Sequence, residues 1–216
     1  MNSNWAEENL QTIRTLMERS ALYRRALAPI MLYAGMVGTL AAMTALIFKM
    51  NAAGPFLTLW LCAAAIVIGG AFFIVRRQAF KEGEPIWSPP TRRVVQALLP
   101  PFTVGAFFTM LIALGETPKA HLDMTLPIVW SILYGCALHS AGFFISRGVK
   151  WFGWLYIIVA CGIILTWYFL RYYQFNDEFF FILRLSPNWF MGLFFGALHL
   201  IYGGYLYLTE KGKNAA

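Results

Sequence analysis

The sequence predicts an all-α polytopic membrane protein: a six-transmembrane-helix bundle preceded by an N-terminal amphipathic cytoplasmic helix. Three observations predict it. Hydrophobic residues make up 59% of the 216 and charged ones only 12%, against about 25% in a soluble domain. Six apolar runs follow one another, each of about 20 residues, the length that crosses a hydrocarbon core of about 30 Å at about 1.5 Å per residue. Lysine and arginine gather in alternate connections between the runs. Backbone polar groups cannot go unpaired in lipid, and the alternation of barrel strands is absent, so the runs must be helices.

Residues 1–25 come first. Asn4 and Glu7 fit a capping box, and Leu10, Ile13, Met17 and Ala21 recur on one side of a helix over 5–25. Arg14 and Glu18 add an i,i+4 pair, and Arg24 and Arg25 abut the first span. Such a helix lies on the membrane surface or docks a cytoplasmic partner. A cleavable signal is not expected, because a long polar segment precedes a full-length span with no small-residue exit site.

The transmembrane domain covers 26–208, with spans expected at 26–48, 55–75, 94–114, 125–145, 151–170 and 189–208, and 209–216 form a cytoplasmic tail. Arg14, Arg19, Arg24 and Arg25 lie before the first span, Arg76, Arg77, Lys81, Arg92 and Arg93 in the 76–93 loop, Arg147 and Lys150 in the next even connection, and Lys211 and Lys213 in the tail. The opposite side holds only Lys49, Lys119, Arg171 and Arg184. By the positive-inside rule both termini are cytoplasmic. Six of the ten acidic residues fall inside, so the inner face carries the whole net charge of +7. The basic balance is topological, and nucleic acid is not an expected partner.

Prolines punctuate the spans. Pro100 and Pro101 should bend or break the third helix. The second, fourth and sixth runs open near Pro55, Pro127 and Pro187, and Pro127 to His139 and Pro187 to His199 have the same spacing, the trace of a repeated hairpin. The 171–188 loop is strongly aromatic, with Asn176 and Asp177 as caps of a short helix, and belongs in the headgroup layer. Trp87, between Pro85 and the Pro89–Pro90 pair, marks a rigid connector.

Candidate functional residues are few. His139 and His199 are the ionisable groups that sit well inside apolar runs, cysteines and tyrosines aside, each within an Ala-Leu-His triplet at similar expected depth. Gly192, Gly196, His199 and Gly203 fall on one helical stripe, and Ser131, Gly135, His139 and Gly142 on another. Small residues let helices approach closely, so both histidines should face protein. A neutral imidazole there needs its N–H paired. The readings are interhelical glue (to a backbone carbonyl, to Tyr134 or Tyr202, or to the other histidine), a b-type haem held between His139 and His199, and a proton or small-solute path. Cys62, Cys136 and Cys161 lack metal-finger spacing and read as packing residues, with no metal site expected at Cys136. No span carries a carboxylate pair, a zinc motif or a nucleophile elbow, which leaves enzymatic chemistry poorly supported and no catalytic residue to name.

The start Asn9-Leu10-Gln11-Thr12-Ile13-Arg14 with Met17-Glu18-Arg19-Ser20, the segment Pro90-Thr91-Arg92-Arg93 and the end Gly196-Ala197-Leu198-His199-Leu200-Ile201-Tyr202-Gly203 together resemble an uncharacterised group of bacterial six-span membrane proteins, associated with genes beside winged-helix regulators. The resemblance implies an inner-membrane location and a regulatory role, and transfers no catalytic residue. The expectation is therefore a non-enzymatic sensor or accessory module in the lipid bilayer, presenting 5–25 and 76–93 to a cytoplasmic protein partner. The alternatives are a transporter or channel using the two histidines and a haem-bearing electron carrier. Small faces at Ala34, Gly38 and Ala42, and at Ala65 and Gly69, would permit a homodimer.

Overall fold

The computed structural model describes residues 26–83, 85–114, 122–172 and 186–214. The expected N-terminal amphipathic helix and the aromatic loop around Asn176 and Asp177 lie outside the described residues. Every regular element among the described residues is helical: α1 (Ala26–Ile47), α2 (Ala53–Glu82), α3 (Pro89–Leu114), α4 (Leu122–Gly142), α5 (Arg147–Tyr172) and α6, which runs as α over Pro187–Met191, π over Gly192–Ala197 and α again over Leu198–Asn214. All six contain a stretch long and apolar enough to cross a membrane; the shortest, Met124–Gly142 with 19 residues, still reaches about 28 Å. The outer surface carries Ile66, Ile68, Phe72, Phe73, Phe107 and Phe108 exposed. A surface this apolar is a lipid surface. The chain is an all-α six-helix membrane protein.

Small residues set the packing. Along the α1–α6 seam a Cβ on Gly192 would sit 2.6 Å from Ala42 Cβ, one on Gly196 3.0 Å from the Thr39 amide, and one on Gly203 2.8 Å from the Leu32 amide. From the other side Gly38 backs onto the Phe195 carbonyl and Gly35 onto Leu200. Backbones this close gain dispersion contact along their whole length, which drives association in lipid. The small face of Ala34, Gly38 and Ala42 is therefore spent inside the chain: both alanines are buried. Ala65 and Gly69 remain exposed, with nothing near Gly69. The α4–α5 seam repeats the device, with Gly135 against the Gly153 carbonyl and Gly142 against the Lys150 amide (2.8 and 2.7 Å from the would-be Cβ).

Polar side chains fix the helices to one another at a few points. Asn188, buried at the start of α6, accepts from Trp60 Nε1 on α2 at 3.0 Å and donates to the Met50 carbonyl at 2.9 Å. Trp130 on α4 donates to Thr109 on α3 at 2.9 Å, and its ring stacks with Phe56 of α2. Ser186 caps α6 by accepting from the Trp189 amide, with Pro187 in the first turn, where its missing N–H costs nothing.

Three expectations change. α3 runs through Pro100 and Pro101 without a break, which leaves a bend as the form their effect can take; helices in membranes tolerate lost amide bonds where neighbours and local adjustment compensate. α2 continues past its apolar run to Glu82 and ends at Gly83, whose φ of 65° suits a left-handed cap. The 76–93 loop is therefore mostly helix. Its short connector is pinned by the Thr91 hydroxyl, which donates to the Ile86 carbonyl at 2.9 Å, with the Ser88 hydroxyl within 3.0 Å of Thr91 Oγ1. Finally, α4 stops at Gly142 rather than at 145.

Candidate functional site

His199 lies two residues past Ala197, the end of the π stretch of α6. There the Leu198 amide reaches back five residues, to the Leu193 carbonyl, instead of four. Such widened turns are rare and often mark functional positions. His199 is 1% exposed. Its Nδ1 lies 3.1 Å from the Phe194 carbonyl and 3.1 Å from the Tyr156 hydroxyl, and its Nε2 lies 2.7 Å from the Tyr134 hydroxyl.

The protons can be assigned by elimination. A carbonyl only accepts, so Nδ1–H donates to Phe194. That leaves Nε2 as an acceptor, and the Tyr134 hydroxyl donates to it. Tyr156 also donates to the Phe194 carbonyl, so its oxygen can accept from Nδ1–H while its proton is used elsewhere. The circuit closes with a neutral imidazole, and α4 (Tyr134), α5 (Tyr156) and α6 (Phe194, His199) each contribute. Four rings surround it: Phe152 edge-on at 5.4 Å, Tyr134 at 5.5 Å, Tyr156 at 6.0 Å and Phe195 stacked at 6.1 Å. A dry aromatic cage makes each hydrogen bond stronger than it would be in water.

His139 lives elsewhere. It sits in the last turn of α4, edge-on to Phe143 and Trp154, each at 5.3 Å. Its buried Nδ1 has no hydrogen-bond partner. The α4 residue that meets His199 is Tyr134, five positions and so about 7.5 Å along the axis from His139. The two histidines share neither ring neighbours nor hydrogen-bond partners among the described residues. Their equal spacing from Pro127 and Pro187 does not make them equivalent either, because the second interval crosses the π stretch and the first does not.

The expected glycine stripes also divide. Gly192, Gly196 and Gly203 face α1, whereas His199 turns toward α4 and α5. On α4, Gly135 and Gly142 do face α5, as does the backbone of His139, which lies 2.6 Å from where a Gly153 Cβ would be. Tyr134 is the partner of His199 and Tyr202 is not: the Tyr202 ring stacks on Phe152 at 4.4 Å, and its hydroxyl lies on the Gly148 side, near Ser146. Tyr156 was not anticipated, and the backbone carbonyl that was expected proves to be that of Phe194, on the same helix rather than a neighbouring one. The available signal was Phe152, Gly153 and Tyr156 together, two aromatic residues four apart flanking a glycine that lets α4 in close.

A haem between His139 and His199 would need a free lone pair on each. The His199 Nε2 lone pair is taken by Tyr134 and its other nitrogen carries the proton, so these residues do not fit an iron ligand pair. Among the described residues no three His, Cys, Asp or Glu side chains come together as a metal group. Cys62, Cys136 and Cys161 are free. Comparison with protein families, curated proteins and solved structures finds no match to this chain.

Proposed function

We propose that this protein is a non-enzymatic membrane module, a sensor or accessory subunit, seated in a bacterial cytoplasmic membrane with both termini inside. The observation that supports it best is the closed circuit around His199. Among the described residues His199 is the one deeply buried histidine, and both its nitrogens are committed within the chain, so it ties three helices together and offers no group to a substrate. Activity then belongs to the surfaces at the basic end. These are residues 5–25 and the ends of α2 and α3 bearing Arg76, Arg77, Lys81, Arg92 and Arg93, where the positive-inside rule puts the cytoplasm.

The test is a photo-crosslinker placed at Lys81 or Arg92 in cells. A discrete adduct with a cytoplasmic protein, lost when residues 1–22 are deleted while the membrane fold persists, is expected. No adduct from either position removes the content of this reading. A small-solute or proton path is the second reading, supported by two buried polar atoms without partners among the described residues: Ser131 Oγ and His139 Nδ1. Purified protein reconstituted in vesicles, with an internal pH dye, should show no proton flux beyond that of empty vesicles. A flux abolished by His139→Leu would reverse the ranking. A Soret band in the purified protein would restore the haem.

A further inference from the structure

The end of α4 and the start of α5 carry a polar group, a cation and open aromatic rings in one place. His139 and Lys150 each lie three residues from a helix end, Gly142 and Arg147 respectively, so each sits within about 5 Å axially of the end that adjoins the 143–146 turn. The Lys150 ammonium rests over the Phe143 ring, 3.9 Å from its centroid. His139 lies edge-on to that same ring and to Trp154. Phe143 and Trp154 are 63% and 42% exposed, and Trp151 beside them 73%. The cluster therefore opens sideways toward the membrane.

The orphan nitrogen sharpens this picture. His139 Nδ1 is buried and has no partner. A buried acceptor without a partner is tolerated better than a buried N–H without one, which places the proton on Nε2. That N–H finds no acceptor among the described residues. The site thus supplies a cation and a hydrogen-bond donor, and among the described residues neither has an anionic or oxygen partner. Around them stand indole and phenyl rings of the kind that settle at the headgroup level.

We propose that this edge is a lateral binding site for an anionic phospholipid. Its phosphate would lie at Lys150, a phosphate or glycerol oxygen would accept from His139 Nε2–H, and an acyl chain would run along Trp154. The proposal goes beyond the module reading and does not depend on it.

The full chain in neutral detergent tests this, with thermal unfolding followed as short-chain phosphatidylglycerol, phosphatidylcholine or inorganic phosphate is added. Phosphatidylglycerol alone should raise the midpoint. Lys150→Gln should weaken that binding by about fivefold, the loss of roughly one interfacial cation, while Arg93→Gln, elsewhere on the basic end, leaves the response intact. An equal shift with inorganic phosphate would assign the site to a free anion and overturn the lipid. An unchanged response in Lys150→Gln would overturn the site. Should that variant fail to fold, a photoactivatable phosphatidylglycerol on the unaltered protein decides: labelling within residues 139–154 supports the proposal, and labelling confined to other segments refutes it.

Discussion

The Tyr134 hydroxyl donates to Nε2 of His199 across 2.7 Å, joining α4 to α6 at a point where the imidazole is almost fully buried. With the Phe194 carbonyl and Tyr156 completing the ring of donors and acceptors, every nitrogen of the imidazole is matched. Removing one member should hurt more than the bond alone is worth, because the group left behind stays desolvated.

Tyr134→Phe leaves Nε2 without a donor and should destabilise the bundle by about 1–3 kcal/mol. His199→Leu leaves the Tyr134 hydroxyl without its acceptor and should cost at least as much. In the double variant neither orphan remains, so the combined loss should fall short of the sum by about 0.5–3 kcal/mol. Unfolding by denaturant in micelles measures the cycle. Strict additivity would mean the two side chains do not communicate.

How much of this was readable beforehand follows from what each feature depends on. Span number and helical state depend on bilayer thickness and backbone pairing, which length and composition report directly. Span ends were less legible: hydropathy stops at Val75, but Arg76 to Glu82 are sound helix formers that carry α2 onward in a polar setting. Glycine positions were legible as packing sites, and their partners were not. The stripe rule assumes a uniform helix, and the π stretch of α6 breaks that assumption before His199. The circuit itself needed a tyrosine from α5, whose place beside α4 and α6 is a tertiary fact. The same limitation produced the expectation of two histidines at one depth, which failed because α4 meets His199 through Tyr134.

Glycines on the α1–α6 seam should be intolerant where others on the same helix are not. A methyl at Gly196 meets the Thr39 amide nitrogen at 3.0 Å and Thr39 Oγ1 at 2.7 Å. That hydroxyl is itself held by the Gly35 carbonyl, at 2.8 Å. Gly196→Ala should cost about 1–3 kcal/mol through overpacking. Gly204 faces open space, and alanine there should be neutral or stabilising by up to about 1 kcal/mol through helix propensity. The same micellar unfolding assay ranks the two variants, and equal effects would contradict the seam.

The proposed sidedness can be checked with two loop positions. Trp87 is 65% exposed in the connector between α2 and α3, and Asn51 is exposed between α1 and α2. In a background with Cys62, Cys136 and Cys161 changed to alanine, a membrane-impermeant maleimide should label Asn51→Cys in intact cells, stripped of any outer membrane. Trp87→Cys should react only in inverted vesicles. The opposite pattern would reverse the charge-based orientation.

The π stretch offers the sharpest test of why α6 has the shape it does. Gly192 is held against Ala42 at the start of the bulge, and Gly203 against Leu32 after it, while His199 must still reach Tyr134 and Tyr156 on the other side. A regular helix through the same residues would turn one half against the other by about 100° and lengthen the axis by about 1.5 Å. It could then satisfy the glycine seam or the histidine circuit, not both. Deleting Leu193, which is 48% exposed, removes the extra residue, lets the turn close to a regular one and leaves the two halves in register. That deletion should cost little more than Leu193→Ala does. Deleting Ile201, 69% exposed in the regular part of the helix, has no extra residue to absorb it and turns Gly203 by about 100° against His199, so it should destabilise the bundle far more. Equal penalties for the two deletions would show that the widened turn reconciles neither constraint.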